Sequence, residues 1–243
     1  MKFRAPTIRG RIDRCWLFVF RTPASAVAGL LPPTLDLVTV DGFAFWNVVT
    51  CELSAMRPAG LPGWLGLSYR HVAYRLHVTA RTAAGSMIEG LHFIRSDCDR
   101  RLVEVVGNLA TDFRFHPARI RFMENAAAVS GEIESPDARA HFRIDRTVPP
   151  SLTAGSPFST LAAAARALEY RPAAISAAGP AAVEIVRVRR DAATWKWRPV
   201  HVAESRWQFL DHRPVQLELC YEVAPVEYIW ERSRIEPVVP CAS

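Results

Sequence analysis

The chain has 243 residues, of which 50% are hydrophobic and 22% are charged, which excludes intrinsic disorder and allows one sizeable core. Its formal net charge of +6 is carried almost entirely by arginine, since the lysines are Lys2 and Lys196. The arginines are scattered through strand-like segments and form no basic stripe with interleaved aromatic residues, which argues against a nucleic-acid partner. No apolar run approaches the roughly 18 residues that a membrane span requires, so we expect no membrane partner.

The cysteines and the absence of several motifs argue against further classes of protein. The number of cysteines is odd, and no CxxC pair occurs that would suggest a disulfide framework or a zinc ribbon. His71, His77 and His92 could meet across paired strands, but no chelating spacing such as His-x-His is present. The GxGxxG, P-loop, GxSxG and HExxH motifs are also absent. We therefore expect a cytoplasmic protein with reduced thiols, no metal and no cofactor.

In chain order, the first expected strand is the apolar run 16–20, which Arg21 ends. A second strand covers 35–40 and meets Asp41-Gly42, a strong hairpin signal that makes 43–53 the return strand. Residues 57–66 are rich in proline and glycine and are predicted to be a loop. Further strands are expected at 68–79, 88–95 and 102–111.

The second half of the chain contains one helical segment among strands. Strands are expected at 119–123, 129–134 and 139–146. Residues 158–169 contain strong helix formers and are predicted to form a helix that Pro172 ends. Residues 173–182, rich in Ala, Gly and Pro, are predicted to be a connector, and strands resume at 183–188, 195–202, 207–210, 215–223 and 228–235. Because there is no repeat and no second composition block, we expect one mainly β domain over residues 1–243, with one or two short helices.

The strand at 68–79 carries the residues best suited to ligand binding or catalysis. Alternation places Tyr69, His71 and Arg75 on one face, opposite an apolar face that must meet a hydrophobic layer. His71 and Arg75 are then about 13 Å apart along the strand. If the sheet closes, this polar face lines an interior cavity that holds one small ligand.

Polar residues continue on the next two expected strands. Alternation places Glu89 and Arg95 on one face, and Glu104 and Asn108 on another. A buried arginine such as Arg75 needs a carboxylate or an anionic ligand, and either glutamate would serve. The alternative interpretation is an outward-facing sheet surface covered by salt bridges.

The sequence resembles the YqjF-like family, a domain of unknown function related to the acetoacetate decarboxylases. The resemblance is carried by YRHVAYR at 69–75, GLHFIRSD at 90–97 and GNL at 107–109. Further support comes from LLP at 30–32, from Asp41-Gly42 and from PVEYIW at 225–230. Each motif is weak alone, but their order and spacing cover most of the chain.

This resemblance implies a closed, decarboxylase-like β-barrel with a central cavity, in a family that often forms homo-oligomers. In the decarboxylases a Tyr-x-Glu motif supplies an acid, and His71 stands at that position here. Their Gly-Arg-Glu segment leads to a lysine pair, and the matching stretch here runs from Gly107 to Phe115-His116, which offers no amine. Schiff-base decarboxylation needs a lysine of lowered pKa, so we expect that chemistry to be lost.

The function expected from the sequence is binding of a small anionic or carbonyl ligand. The candidate ligand-binding residues are Arg75, Tyr69, Glu89, Arg95, Glu104 and Asn108. One alternative is a lyase, hydrolase or cyclase that uses His71 as general base, with Arg75 stabilising an enolate or carboxylate. The other is a structural or interaction protein with a vestigial cavity.

Overall fold

The computed structural model describes residues 6–169, 171–191 and 193–240. Within these ranges the protein is mainly β, as expected, and no described helix is long and apolar enough to cross a bilayer. The strands are β1 (Ile8–Pro23), β2 (Asp36–Leu37), β3 (Thr39–Val40), β4 (Phe43–Pro58), β5 (Leu67–Arg81), β6 (Met87–Cys98), β7 (Phe115–Pro117), β8 (Arg119–Glu124), β9 (Ala128–Glu134), β10 (Ala140–Asp145), β11 (Ala173–Gly179), β12 (Ala182–Arg190), β13 (Trp197–Pro199), β14 (His201–Trp207), β15 (Gln216–Val223), β16 (Val226–Trp230) and β17 (Arg234–Pro237). The helices are α1 (Arg101–Ala110) and α2 (Leu161–Ala167), and short 3₁₀ turns cover Ala24–Ala26, Ala28–Leu30, Gly63–Leu65 and Gln208–Leu210.

The described strands form a 13-stranded sheet and a 4-stranded sheet. In the larger sheet, pairing runs through β1, β16, β12, β11, β6, β5 and β4, and β4 pairs again with β1 along almost its whole length. Neighbours in this series are antiparallel except β11 and β6, whose parallel contact pairs Ala174 with Leu91. The smaller sheet has the order β14-β10-β9-β8.

Two hydrophobic cores lie on the two faces of the larger sheet. Alternate residues of β1 divide between them: Trp16 and Phe18 join the core shared with the smaller sheet, where Phe18 contacts Phe142 with ring centroids 4.9 Å apart. Leu17 and Val19 join the second core on the opposite face. Because both faces of β1 are buried, its sequence is a continuous apolar run without visible alternation.

The expected hairpin and the expected faces of the strand at 68–79 are confirmed. Asp41 and Gly42 have φ values of 49° and 80° and connect β3 to β4 by a two-residue turn, with Val40 opposite Phe43. In β5, Val72 and the alternate residues that follow it belong to the core shared with the smaller sheet. His71 and Arg75 point to the opposite side, and both are buried.

Two assignments made from sequence are wrong. The expected strand at 102–111 is helix α1, in which Leu102, Val105, Val106 and Leu109 follow the helical spacing i, i+3, i+4, i+7. The valines obscured this spacing, because β-branched residues also favour strands. The expected connector at 173–182 is largely β11, which pairs antiparallel with β12. Its first four residues, Ala173 to Ser176, are buried, so packing there overrides the weak strand propensity of alanine.

Candidate functional site

The side chains of His71 and Arg75, both on β5, line one cavity in the second core. The cavity has a water-accessible volume of about 50 Å³. At roughly 10–15 Å³ for each water, it has room for about three to five water molecules. Its lining divides into a polar group that contains both of these residues and an apolar group that includes Phe93 and Trp230. A polar interior was one of the two interpretations that the alternation of β5 left open.

Arg75 supplies a fixed positive charge to the cavity. Its side chain is 3% exposed, and its guanidinium donates hydrogen bonds to Asn47, through Nε to the backbone oxygen at 3.4 Å and through a terminal nitrogen to Oδ1. Asn47 is the cross-strand partner of Arg75 on β4. The guanidinium carbon lies 5.5 Å from the centre of the Phe93 ring, which adds a cation–π contact. These contacts hold the guanidinium of Arg75 in place on the cavity wall.

His71 is a neutral imidazole beside that charge. It is 4% exposed, and its Nε2 has no hydrogen-bond partner among the described residues. Burial, and secondly the charge of Arg75, lower the pKa of His71 from 6.5 to about 3. The ring therefore stays uncharged at physiological pH and keeps one nitrogen available to a ligand.

Two cysteines, which the sequence analysis did not place at the site, also line the cavity. Cys51 lies opposite His71 on β4, and Cys15 lies opposite Cys51 on β1, so three neighbouring strands present a row of two thiols and one imidazole. Burial raises the pKa of Cys15 to about 12 and that of Cys51 well above 9.0, which keeps both thiols protonated. Period-two alternation could have assigned each cysteine to a face, but not to a common row.

Half-buried residues form the side of the cavity nearer the surface. Arg190 stacks on Trp195, with its guanidinium carbon 3.7 Å from the ring centre, and Trp230 lies beside them in the lining. Tyr69 shares the face of His71, with ring centroids 6.2 Å apart, but lies outside the cavity lining.

Arg95 does not share the face of Glu89, so that prediction is wrong. A β-bulge interrupts the pairing of β5 with β6: Arg75 is opposite Phe93, whereas Tyr74 is opposite Arg95, and Ile94 is the extra residue. The inserted residue reverses the alternation and turns Arg95 towards the smaller sheet. There it is buried and donates hydrogen bonds to Asp97 at 2.9 Å and to Ser135 at 2.9 Å.

Glu89, Glu104 and Asn108 also lie outside the cavity. Glu89 is exposed and forms an ion pair with Arg171 at 2.7 Å. Glu104 is in the first turn of α1. The amide of Asn108 holds the backbone of Phe115, accepting from its N–H at 2.7 Å and donating to its carbonyl at 2.8 Å. The proposed binding set therefore contains none of these three residues.

Phe115 and Lys196 bear on the expected loss of Schiff-base chemistry. The Phe115 ring contacts the imidazole of His71, with centroids 5.3 Å apart, so an apolar ring occupies the stretch that matches the lysine pair of the decarboxylases. Lys196 lines a different cleft, on the surface beside Glu222, and Lys2 lies outside the described residues. Over the described ranges, no group of three or more His, Cys, Asp and Glu side chains is arranged to hold a metal ion.

The sequence model of one protein family, DUF2071, described as an uncharacterized conserved protein, matches residues 11–226. The chain belongs to DUF2071. This match contains Cys15, Cys51, His71 and Arg75, and it confirms the resemblance drawn from YRHVAYR and the motifs that follow it. No curated protein matches the sequence.

Solved structures show which fold this DUF2071 member adopts. It is similar to an acetoacetate decarboxylase-like enzyme from Sphingomonas wittichii RW1, with a TM-score of 0.60 and 14% identity over 93% of this chain and 92% of the other. Acetoacetate decarboxylase from Legionella pneumophila gives a TM-score of 0.63 and 11% identity over 98% and 90%. The enduracididine biosynthesis enzyme MppR, complexed with pyruvate, gives 0.59 and 10% over 97% and 91%. The shared fold is therefore that of the acetoacetate decarboxylase-like proteins.

Proposed function

We propose that this DUF2071 member binds a small carboxylate or enolisable carbonyl compound in the cavity, with Arg75 as the anion-binding group. The observation that carries the proposal is a guanidinium and a neutral imidazole, both buried, in the lining of one small cavity. A guanidinium that is largely shielded from water attracts an anionic ligand more strongly than an exposed guanidinium does. MppR, which has the same fold, is complexed with pyruvate, a compound that carries both a carboxylate and a carbonyl.

The size of the cavity restricts the ligand. Room for about three to five water molecules suits an acid of roughly two to four carbons better than a larger metabolite. The apolar part of the lining suits a short hydrocarbon tail, and Arg190 adds a second positive charge at the side nearer the surface.

We also propose that the larger sheet closes into a barrel within one domain. The return of strand pairing from β4 to β1 supports closure, and the parallel contact of Ala174 with Leu91 is its weakest link. A closed wall would exclude bulk water and strengthen the electrostatic interaction between Arg75 and an anion. Slow amide hydrogen exchange in both β6 and β11 would support closure, and rapid exchange at their junction would contradict it.

The binding proposal is tested by calorimetric titration of acetate, pyruvate and acetoacetate into wild type and Arg75→Gln. Hydrogen bonds to charged groups contribute about 1.5–3 kcal/mol, so loss of Arg75 should weaken binding about tenfold or more. The matched control is Arg213→Gln, because Arg213 also stacks on aromatic rings but lies outside the cavity lining. Arg75→Lys, which keeps the charge, should retain part of the affinity.

Equal affinities in wild type and Arg75→Gln, with both proteins folded, would remove Arg75 from the site. No binding of any of these acids to wild type would favour the vestigial cavity instead. A preference for alkylammonium ions over carboxylates would contradict the proposed ligand charge.

A second candidate function is proton abstraction with His71 as general base. It is favoured by the neutral ring and the unpartnered Nε2 in the cavity. Exchange of the methyl protons of pyruvate for deuterium, followed by NMR, tests it: wild type should accelerate exchange and His71→Gln should not. Binding without accelerated exchange would leave a binding protein.

Schiff-base chemistry is not part of the proposal. Borohydride treatment with acetoacetate or pyruvate should leave the mass of the protein unchanged, because no lysine lines the described cavity. A stable adduct on Lys196 would overturn this part of the proposal.

A further inference from the structure

The apolar stripe of helix α1 faces outward rather than towards the core. The inner side packs on β7, where the ring of Phe115 leaves no room for a side chain at Gly107. On the outer side four side chains, 52–66% exposed, follow the helical spacing: Leu102, Val105, Val106 and Leu109. The apolar stripe of a surface helix normally faces the core, whereas this one faces outward, so it lacks a packing partner among the described residues.

A neighbouring segment extends this stripe into a larger apolar patch. The loop before β5 exposes Leu61, Leu65 and Leu67, together with Trp64 at 81% exposure. This loop lies beside the start of α1, because Arg100 Nε donates to the carbonyl of Ser68 at 3.3 Å. We call these four loop residues and the four outer residues of α1 the α1 patch.

The area of the α1 patch matches that of a stable protein interface. From the fractional exposures, its accessible surface is on the order of 900 Å², whereas the largest apolar patch of a typical monomer is roughly 300–600 Å². A standard interface buries about 800 Å² on each partner.

The charges near the two ends of α1 favour a second copy of this chain as the binding partner. Arg100 and Arg101 sit at the N-terminal end of α1, where the helix dipole is already positive, while Asp112 follows its C-terminal end. A second copy packed antiparallel brings the arginines of each helix to the negative end of the other. A membrane surface fits less well. An amphipathic helix at a membrane surface presents a charged face to water, opposite its apolar face, whereas the face of α1 opposite the apolar stripe packs on β7.

We propose that the α1 patch is the interface of a twofold-symmetric homodimer in which α1 packs antiparallel against α1 of a second copy. The symmetry makes the patch self-complementary, and the midpoint of the helix, between Val105 and Val106, lies at the twofold axis. The dimer goes beyond the proposed ligand binding and does not depend on it.

Light scattering coupled to size exclusion tests the proposal. Wild type should elute with twice the 27.1 kDa mass of the chain, and Leu109→Glu should elute as a monomer with an unchanged melting temperature. The matched control is Met87→Glu, which alters an equally exposed apolar residue at the far end of β6 and should remain a dimer. Val106→Cys should form a disulfide between copies under mild oxidation, and Met87→Cys should not.

Each of the following outcomes would overturn the proposal. A monomeric wild type at 100 μM would do so, as would a Leu109→Glu protein that remains a dimer. A monomeric wild type that also sediments with phosphatidylglycerol vesicles would assign the patch to a membrane. If Leu109→Glu fails to fold, the exposed-loop variant Trp64→Ser, which leaves α1 intact, should weaken the dimer at least tenfold, and an unchanged dissociation constant would count against the proposal.

Discussion

Acidification should destabilise this protein through His71 and His77, which lie on the same face of β5. His77 is 1% exposed, and burial, with smaller effects of Arg171 and Arg75, lowers its pKa to about 3, as burial and Arg75 do for His71. In the unfolded chain both rings titrate near 6.5. Because each folded-state pKa lies below its unfolded value, the contribution to stability is complete above about pH 6.5 and is lost as the pH falls towards 3.

The magnitude follows from the two pKa values. Between pH 7.5 and pH 5.0, the unfolded state gains almost one proton at each histidine and the folded state gains almost none, which costs roughly 2 kcal/mol for each residue. Asp97 acts in the opposite sense, because burial raises its pKa, so the histidine effect must be isolated by difference.

Urea unfolding of wild type and His71→Gln at both pH values provides that difference. The loss of stability on acidification should be about 2 kcal/mol smaller in His71→Gln, since the carboxylates are the same in both proteins. The control is His141→Gln, where the histidine is exposed and pairs with Glu204, and its pH dependence should follow wild type. Equal pH dependence in His71→Gln and wild type would refute a neutral, buried His71.

Two substitutions test the packing around the site. Arg95→Met should destabilise the protein by about 3–5 kcal/mol in chemical denaturation, because Asp97 remains buried without its charge partner, whereas the exposed Arg119→Met should change stability by less than about 0.5 kcal/mol. Gly90→Val should speed hydrogen exchange in β11, because a Cβ at Gly90 would lie 2.7 Å from the carbonyl oxygen of Ala173. Unchanged exchange in β11 would contradict a tight contact between β6 and β11.

Local sequence patterns predicted the parts of this protein that depend on neighbouring residues. The hairpin at Asp41-Gly42 follows from a turn that requires positive φ, and the opposite faces of β5 follow from period-two alternation. The family follows from motifs of contiguous residues such as YRHVAYR.

Tertiary structure alone decided which side chains meet in the cavity. Alternation fixes the faces of a strand but not its partners, so the row of Cys15, Cys51 and His71 depends on the pairing of β1 with β4 and of β4 with β5. The bulge at Ile94 turns Arg95 away from the cavity, and it cannot be recognised from the alternation of residue types in β6.

The sequence by itself therefore determined a mainly β protein of the DUF2071 family with His71 and Arg75 on one face of a strand, and the structure shows that both side chains are buried. The tertiary structure decided the cavity's other polar groups, the helical state of α1 and its exposed stripe. The physical reason is that these features arise from strand register and from packing between distant segments, and both are set by the free energy of the whole fold.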